Sequence, residues 1–521
     1  MAESTKRPTT ILQFGEGNFL RAFADQMIDS ANKSGVMDDG IAVVIPIDAP
    51  SMVGDILTDQ GNQYHVILEG VKDGAPAREV QLVDAITEVV PAHGDFARYR
   101  ELYLKPELKA VISNTTEAGI TFVPGDSLTA QPPKSFPAKI AALLHDRWQH
   151  FKGAPDKGLT FLPVELIEDN GSTLKEYVLR HARENHLEPE FIEWVDNANS
   201  FHNTLVDRIV PGYPRDEIDA ITAEIGKVDN AVVKGEYYGS WAIDGASGSG
   251  GNNNNGGAQT SRPDVREVLP LDRAGQPVEF MADIRPYRAK KVYILNGMHT
   301  AMAAVGLLSG AETVGKAVAK PEIERYLKTM LEKEILPSIA ANPALMADDT
   351  PASLAAFAAK IYERFSNPYL RHALGDIALN SISKWQTRNL PVVVAQWERG
   401  ESADAEVLAF AALCLAYAAT GPQPPRPLAD IAAKVPASFA VRDDADLVAL
   451  VRDTFNNTSN GGGVAVDGAV MAPWVAGIIA AAGYFDGATN AQAERLASEA
   501  AKAAELILGV GIANALADVT A

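Results

Sequence analysis

Ile11-Leu12-Gln13-Phe14 runs directly into Gly15-Glu16-Gly17-Asn18-Phe19-Leu20-Arg21, and an amphipathic stretch follows over residues 18–34. A short apolar run, a GxG turn and a helical pattern predict strand, turn and helix in that order. Glycines at such a turn let the chain bend tightly. They also let backbone N–H groups approach a pyrophosphate at the helix N-terminus. Gly15 and Gly17 are therefore candidate cofactor-binding residues, with Asn18 and Phe19 opening the helix. The third glycine of the usual fingerprint is absent, and Leu20 and Arg21 occupy its neighbourhood. A GxG alone also fits an ordinary loop. The strand before it, its place near the N-terminus and an acid after the next strand favour a nucleotide site.

Outward from this segment the first third keeps alternating. Residues 41–47 (IAVVIPI), 64–68, 80–90, 110–113 and 160–164 have β character, with helical patterns between them. Apolar strands alternating with helices predict a parallel sheet covered on both faces, hence a Rossmann-type, doubly wound α/β domain. Asp48 follows the second strand. An acid there binds the ribose 2′-hydroxyl of NAD and repels the 2′-phosphate of NADP, so NAD is the expected cofactor. Its distance from the glycines exceeds the usual spacing of roughly 20 residues, and a solvated surface aspartate is the rival reading. Asn114, Thr115 and Thr116 follow a short strand, where they either line the nicotinamide ribose or form a polar loop.

From about residue 290 the texture changes to alanine, leucine and glutamate with 3.6-residue periodicity over 322–336, 353–365 and 403–419. Two domains are expected: residues 1–285, binding the nucleotide, and residues 286–521, mostly helical and carrying substrate and catalysis. Residues 247–262 (SGSGGNNNNGGAQTSR) hold almost nothing to bury and read as a flexible insertion within the first domain. Residues 456–463 read as a second mobile stretch. With 46 basic against 67 acidic residues the net charge is −21, which repels nucleic acid. A small anionic substrate is not excluded, because a few local cations can dominate a pocket. The single cysteine, Cys414, sits in an apolar run as a small hydrophobe, and no disulfide within the chain is possible. The polar N-terminus and short apolar stretches predict a soluble, cytoplasmic chain with no membrane span. The nine histidines are scattered, without HxH or HExxH, so no metal is expected. Oligomeric state is left open.

The segment Lys290-Lys291-Val292-Tyr293-Ile294-Leu295-Asn296-Gly297-Met298-His299-Thr300 is the richest in chemistry. On a helix, steps of about 100° place His299 roughly 80° and Asn296 roughly 140° from Lys291, all to one side. As a strand, that geometry is lost. Reducing a ketone needs a proton delivered to the carbonyl oxygen. A lysine supplies it if burial or nearby cations bring its pKa toward neutrality. Asn296 can donate to the developing alkoxide, and His299 can orient the oxygen or relay the proton.

This segment resembles the K-x(4)-N-x(2)-H signature of the polyol-specific long-chain dehydrogenases, the mannitol dehydrogenase family. The phrases LQFGEGNFLRAF, ISNTTEAGI, PVELIEDNG, NTLVDRIVPGYPRDE, EYYGSW, KKVYILNGMHT and ALNSISKWQTRNLP extend the likeness over about three-quarters of the chain. They point to the branch that acts on hexuronates. The resemblance implies an NAD-dependent reduction with Lys291 as general acid/base, Asn296 and His299 beside it, and Asn170 as a second oxyanion donor. It departs at Arg288, where mannitol-type enzymes carry a glutamate proton gate, and at Gly239, where a bulkier polar residue is expected.

A sugar acid carries a carboxylate, so its pocket needs a cation. Lys384 and Arg388 share one helical face at i, i+4, and Arg371 lies one segment earlier. The resemblance ranks Lys384 and Arg388 ahead of Arg371. The rivals are the same chemistry on fructuronate or on a neutral ketose such as fructose, a nucleotide-sensing protein without turnover, and an epimerase that oxidises and re-reduces its substrate on a retained cofactor.

Overall fold

The structure is a computed structural model that describes residues 7–116, 118–245, 264–347, 349–420, 428–435, 439, 441–459, 468–485 and 491–521. The insertion expected at 247–262 lies outside them. Residues 456–459 end the helix Ala445–Ser459 instead of starting a loop, and 460–463 are outside the described residues. The chain divides into two compact units, residues 1–284 and 285–521.

The first unit is built on a six-stranded parallel sheet. Its order is Ile86–Pro91, Gly40–Ile45, Thr9–Phe14, Ala110–Ser113, Thr160–Pro163 and Ser200–Phe201. By position in the chain this is 3-2-1-4-5-6, the doubly wound order whose direction reverses between the first and fourth strands. All six residues of Thr9–Phe14 are buried because helices cover both faces. Ile11 packs with Leu20, Phe23 and Met27 of the following helix. Leu12 and Phe14 pack with residues of the helices Phe96–Tyr103 and Phe136–His150. Alternate side chains of one strand thus feed two cores, which is why the strand reads as a continuous apolar run.

One sequence expectation is corrected. Of the β character expected for the parallel sheet, residues 86–90 join it within Ile86–Pro91, but 64–68 and 80–83 do not: Tyr64–Lys72 and Ala75–Val83 form an antiparallel hairpin in a separate three-stranded sheet with Val233–Glu236. The connection is Asp73-Gly74, with φ of 52° and 76°. Positive φ at both turn residues gives the backbone twist a two-residue hairpin needs. A third small sheet joins Val278–Met281, Ser240–Asp244 and Thr204–Asp207.

The second unit is helical. Asp404–Ala419 is buried almost throughout, Cys414 included, and Met298–Leu308 packs against it. Among the described residues no helix is long and apolar enough to cross a membrane.

Candidate active site

The glycine turn stands where the sheet reverses. Gly15 has φ of 113°, and a Cβ there would lie 3.0 Å from the Asn114 carbonyl oxygen. The amide of Asn114 donates to Phe14 O at 3.1 Å, and that of Gly15 to Val44 O at 3.0 Å. Only glycine allows this conformation and this approach. The ends of the first, second and fourth strands are thereby locked side by side. Gly17 is extended, with φ −63° and ψ 162°, and begins a helix that runs through residues 18–33 by way of one wide, i→i+5 turn at Arg21–Asp25. A Cβ on Gly17 would meet nothing within 4 Å, so the approach to the helix start is open. A switch-point crevice floored by glycine backbone and a helix N-terminus fits a dinucleotide pyrophosphate.

Arg21, in the neighbourhood of the missing glycine, turns inward. Its guanidinium donates to Glu16 O at 3.1 Å, to Asn18 Oδ1 at 2.6 Å and to Ala231 O. The turn is thus pinned by a buried side chain in place of close helix packing over a third glycine. Gly212 leaves room for the Asn18 amide, since a Cβ there would lie 2.5 Å from Asn18 Nδ2. The Phe19 ring stacks on Phe23 at 4.9 Å. The side chains of Asn18 and Phe19 therefore belong to the scaffold, and the helix-start backbone is what these two residues offer a ligand.

Asp48 follows the second strand with its side chain 86% exposed and His93 Nδ1 at 3.9 Å. Ser51 Oγ, just beyond, donates to Glu16 Oε1 at 2.8 Å, tying that loop to the glycine turn. On the other side, Thr115 gives both its N–H and its hydroxyl to Glu165 Oε1, at 2.9 and 2.8 Å, and Ser113 Oγ donates to Glu165 Oε2 at 3.0 Å. Thr116 is exposed at φ 79°. Burial pushes the Glu165 carboxyl up, and the hydrogen bonds from Thr115 and Ser113 oppose the shift.

Asn170 is fully buried. Its Nδ2 lies 2.9–3.3 Å from Pro163 O, Glu165 O, Thr204 O and Thr204 Oγ1. Its Oδ1 accepts from Gly171 N and Thr204 N, both at 2.9 Å. Both ends of the amide hold backbone together, which is at odds with an oxyanion donor facing substrate. Arg208 of the TLVDRI phrase is likewise structural, donating to Ala22 O at 2.6 Å and Gln26 Oε1 at 2.9 Å. It also explains Gly239, because a Cβ there would lie 2.5 Å from Arg208 NH2.

In the second unit the Lys-Asn-His segment is helical. Arg285–Lys291 passes through a wide turn, Val292–Gly297, into Met298–Leu308. An i→i+5 turn holds about one residue more than an α-turn. Asn296, five residues after Lys291, consequently comes round closer to the lysine's azimuth than ideal α-helical steps allow. Lys291, Asn296 and His299 are all half-buried, whereas Lys290 is buried and paired with Asp349.

Around this helix the unit gathers positive charge. Arg388 NH1 donates to Thr300 Oγ1 at 3.2 Å, and Thr300 Oγ1 donates to Asn296 O at 2.9 Å. Burial lowers the Arg388 pKa; burial and then the Arg388 charge lower that of Lys384. Lys384 Nζ donates to Ile377 O at 3.0 Å. Helix Ser381–Arg388 comes this close because Gly297 has no side chain; a Cβ there would lie 3.3 Å from Arg388 O. Asn389 Nδ2 then donates to Gly297 O at 3.1 Å and to the buried Glu406 at 2.7 Å.

Arg371 is exposed, and its charge acts on Glu312. Its neighbour His372 faces His299 instead, with ring centroids 5.3 Å apart, and Phe365 lies 4.8 Å from His299 on another side. Burial, then the Arg364 charge, lowers the His372 pKa. Sequence reasoning missed His372, Glu165 and the Asn389–Glu406 brace. An acid directly after the mostly apolar run at 160–164 was the available signal for Glu165. Among the described residues no group of three or more side chains is placed to hold a metal ion.

Comparison with known proteins agrees with this architecture. Residues 9–254 match the mannitol dehydrogenase Rossmann domain and residues 283–433 the mannitol dehydrogenase C-terminal domain. Altronate oxidoreductase of Bacillus subtilis is 41% identical over 415 residues, 79% of this chain and 80% of that one. The protein of that name from Klebsiella pneumoniae is 39% identical over the same shares. Among solved structures, a D-sorbitol dehydrogenase in substrate-free form superposes with a TM-score of 0.74 at 18% identity, covering 98% of this chain and 95% of the other. The Pseudomonas fluorescens mannitol 2-dehydrogenase, in ternary complex with NAD and D-mannitol, gives 0.62 at 19% identity, covering 98% and 94%. With both domain descriptions matched and relatives of this identity covering most of its length, the chain belongs to the mannitol dehydrogenase family.

Proposed function

We propose that this chain is an NAD-dependent oxidoreductase that reversibly reduces the ketone of tagaturonate to altronate. Its relatives at 38–41% identity carry the name altronate oxidoreductase. The observation that carries the substrate class is Arg388, a half-buried guanidinium docked on Thr300, the residue after His299, whose hydroxyl also bonds the Asn296 carbonyl. A desolvated cation beside an acid–base group suits a sugar acid better than a neutral sugar.

In this reading residues 1–284 hold the nucleotide. Gly15, Gly17 and the backbone at Asn18 and Phe19 take the pyrophosphate, and Asn114, Thr115 and Thr116 border the nicotinamide ribose. Asp48 takes the adenine ribose and disfavours a 2′-phosphate, which selects NAD over NADP. The bound nicotinamide supplies the hydride that arrives at the carbonyl carbon. Lys291 gives its proton to the carbonyl oxygen as charge builds there, and takes it back in the oxidation direction. Asn296 donates a hydrogen bond to the same oxygen, and His299, held against Phe365 and His372, orients it. Arg388 binds the carboxylate, with Lys384 adding charge behind it. Asn170 keeps the backbone between Pro163 and Thr204 in place and touches neither ligand.

The test is NADH oxidation, followed by absorbance, with tagaturonate, fructuronate and fructose side by side. Tagaturonate is expected to have the highest kcat/KM. Turnover that favours fructose would overturn the sugar-acid reading.

A further inference from the structure

Glu165 stands two residues beyond the strand Thr160–Pro163, and no step above uses it. It is 2% exposed, so it offers a ligand almost no surface. Both of its carboxylate oxygens are spent on the neighbouring loop. Oε1 accepts the N–H and the hydroxyl of Thr115, at 2.9 and 2.8 Å, and Oε2 accepts the hydroxyl of Ser113 at 3.0 Å. From behind, Asn170 Nδ2 lies 3.1 Å from Glu165 O and fixes the backbone of the acid. Burying a carboxylate is costly unless hydrogen bonds hold it, and an apolar side chain would fill the same space without that cost. What the acid supplies, and an apolar residue does not, is a fixed loop.

The loop it holds is tightly fitted. Thr116, next in the chain, has φ of 79°, which few residues with a side chain adopt. Gly119 has no room for a Cβ, which would lie 2.0 Å from Thr115 Oγ1. On the other flank the backbone N–H of Asn114 donates to Phe14 O, at the entry to the glycine turn. Ser113 and Thr115 give their hydroxyls to Glu165, while Asn114 is half-buried and Thr116 exposed. Those last two are the part of the loop that a ligand can reach.

We infer that Glu165 is a positioning residue for the nicotinamide half of the cofactor: its carboxylate clamps Ser113 and Thr115, and so sets Asn114 and Thr116 against the nicotinamide ribose. This rests on the reading that residues 114–116 border that ribose while the glycine turn takes the pyrophosphate. A loop fixed before binding spares the ligand the cost of ordering it. The glycine turn has supports of its own, since Gly15 N donates to Val44 O and Arg21 holds Glu16 O and Asn18 Oδ1. The clamp therefore acts on one half of the cofactor, and the two halves are separable by experiment.

Binding of NADH and of ADP to the full chain, measured by titration calorimetry, tests this on Glu165→Leu, Glu165→Gln and Ser113→Ala. ADP reaches the glycine turn but lacks the second ribose and the nicotinamide. Glu165→Leu strands the donors of Ser113 and Thr115. It is expected to raise the NADH Kd by about tenfold to a hundredfold, the worth of a hydrogen bond to a charged group, with the ADP Kd within about twofold of wild type. Glu165→Gln keeps an oxygen for Thr115 and offers an N–H to the Ser113 hydroxyl, so it is expected to bind NADH within about threefold of wild type. Ser113→Ala removes one of the three bonds at a residue too buried to touch a ligand, and is expected to weaken NADH by about threefold to tenfold and ADP not at all. An unchanged NADH Kd in Glu165→Leu overturns the inference, as does equal weakening of NADH and ADP, or a glutamine variant as weak as the leucine one. If Glu165→Leu does not fold, Ser113→Ala decides: an NADH Kd equal to wild type refutes the clamp. A wild type that binds NADH no tighter than ADP refutes the inference and leaves the glycine-turn reading standing. A wild type that binds neither overturns both.

Discussion

Two adjacent lysines should fail in different ways. Lys290 is buried and paired with Asp349, and Lys291 is half-buried at the start of the wide turn that carries Asn296, with His299 just beyond it. Lys290→Met keeps the alkyl packing and removes the charge. Losing one partner of a fully buried pair costs about 3–5 kcal/mol. The Asp349 side chain keeps 30% of its exposure, so water can solvate the stranded carboxylate, and we expect ~1–3 kcal/mol. For a unit of this size that lowers Tm by roughly 2–12 °C. Its kcat at a temperature where the fold is intact should stay within a few-fold of wild type. Lys291→Met should do the reverse, with Tm close to wild type, NADH Kd unchanged and kcat down by about 10²–10⁴. Differential scanning calorimetry and steady-state kinetics on both variants suffice. If Lys290→Met is inactive at unchanged Tm while Lys291→Met turns over, the register is wrong by one residue, and the roles of Asn296 and His299 fall with it.

Other expectations follow from the same geometry. Arg388→Met should raise KM for a hexuronate by roughly tenfold to a hundredfold, the worth of a charge-assisted bond. It should leave a neutral ketose nearly untouched; equal losses on both would assign Arg388 to the fold. Asp48→Ser should weaken NADH and improve NADPH by about threefold to tenfold, modest because the carboxylate is solvent-exposed and screened. Competitive binding titrations measure both. In the second unit, burial raises the carboxyl of Glu334 to about 7 and that of Glu406 well above its ordinary value. Folded pKa values raised this way make the contribution to stability full below the unfolded pKa, and it is lost as pH rises through the folded one. Tm should therefore fall between about pH 5 and about pH 8, and Glu406→Gln should flatten that slope; a Tm that rises over this window refutes it.

How much was legible depends on how local each signal was. The strand Thr9–Phe14, its glycine turn and the helix after it are local, because an apolar run and two glycines impose them within a dozen residues. The helical second unit was equally plain from its 3.6-residue period. The hairpin was legible but misassigned: Asp73-Gly74 between two β runs is a turn with both φ positive, and only the parallel pattern around it suggested otherwise. The wide turns at Arg21–Asp25 and Val292–Gly297 have no residue-type signature, so the phase of Lys291, Asn296 and His299 was not recoverable from ideal helical steps. Asn170 looked like an available amide because its partners are carbonyls of Pro163, Glu165 and Thr204, the last from a strand more than thirty residues away. Arg371 and His372 differ by one position in a loop, where no period tells which side chain turns inward. Tertiary packing chose the histidine.

The most direct test of the central claim is isotopic. The purified chain is incubated with tagaturonate and NADH deuterated on the transferable C4 position, and the sugar acid produced is analysed by mass spectrometry and NMR against the NADH consumed. The account predicts one deuterium on the former carbonyl carbon of altronate for each NADH oxidised, and loss of that product in Lys291→Met. Unlabelled product formed without net NADH oxidation, or nucleotide binding with no product at all, would contradict it.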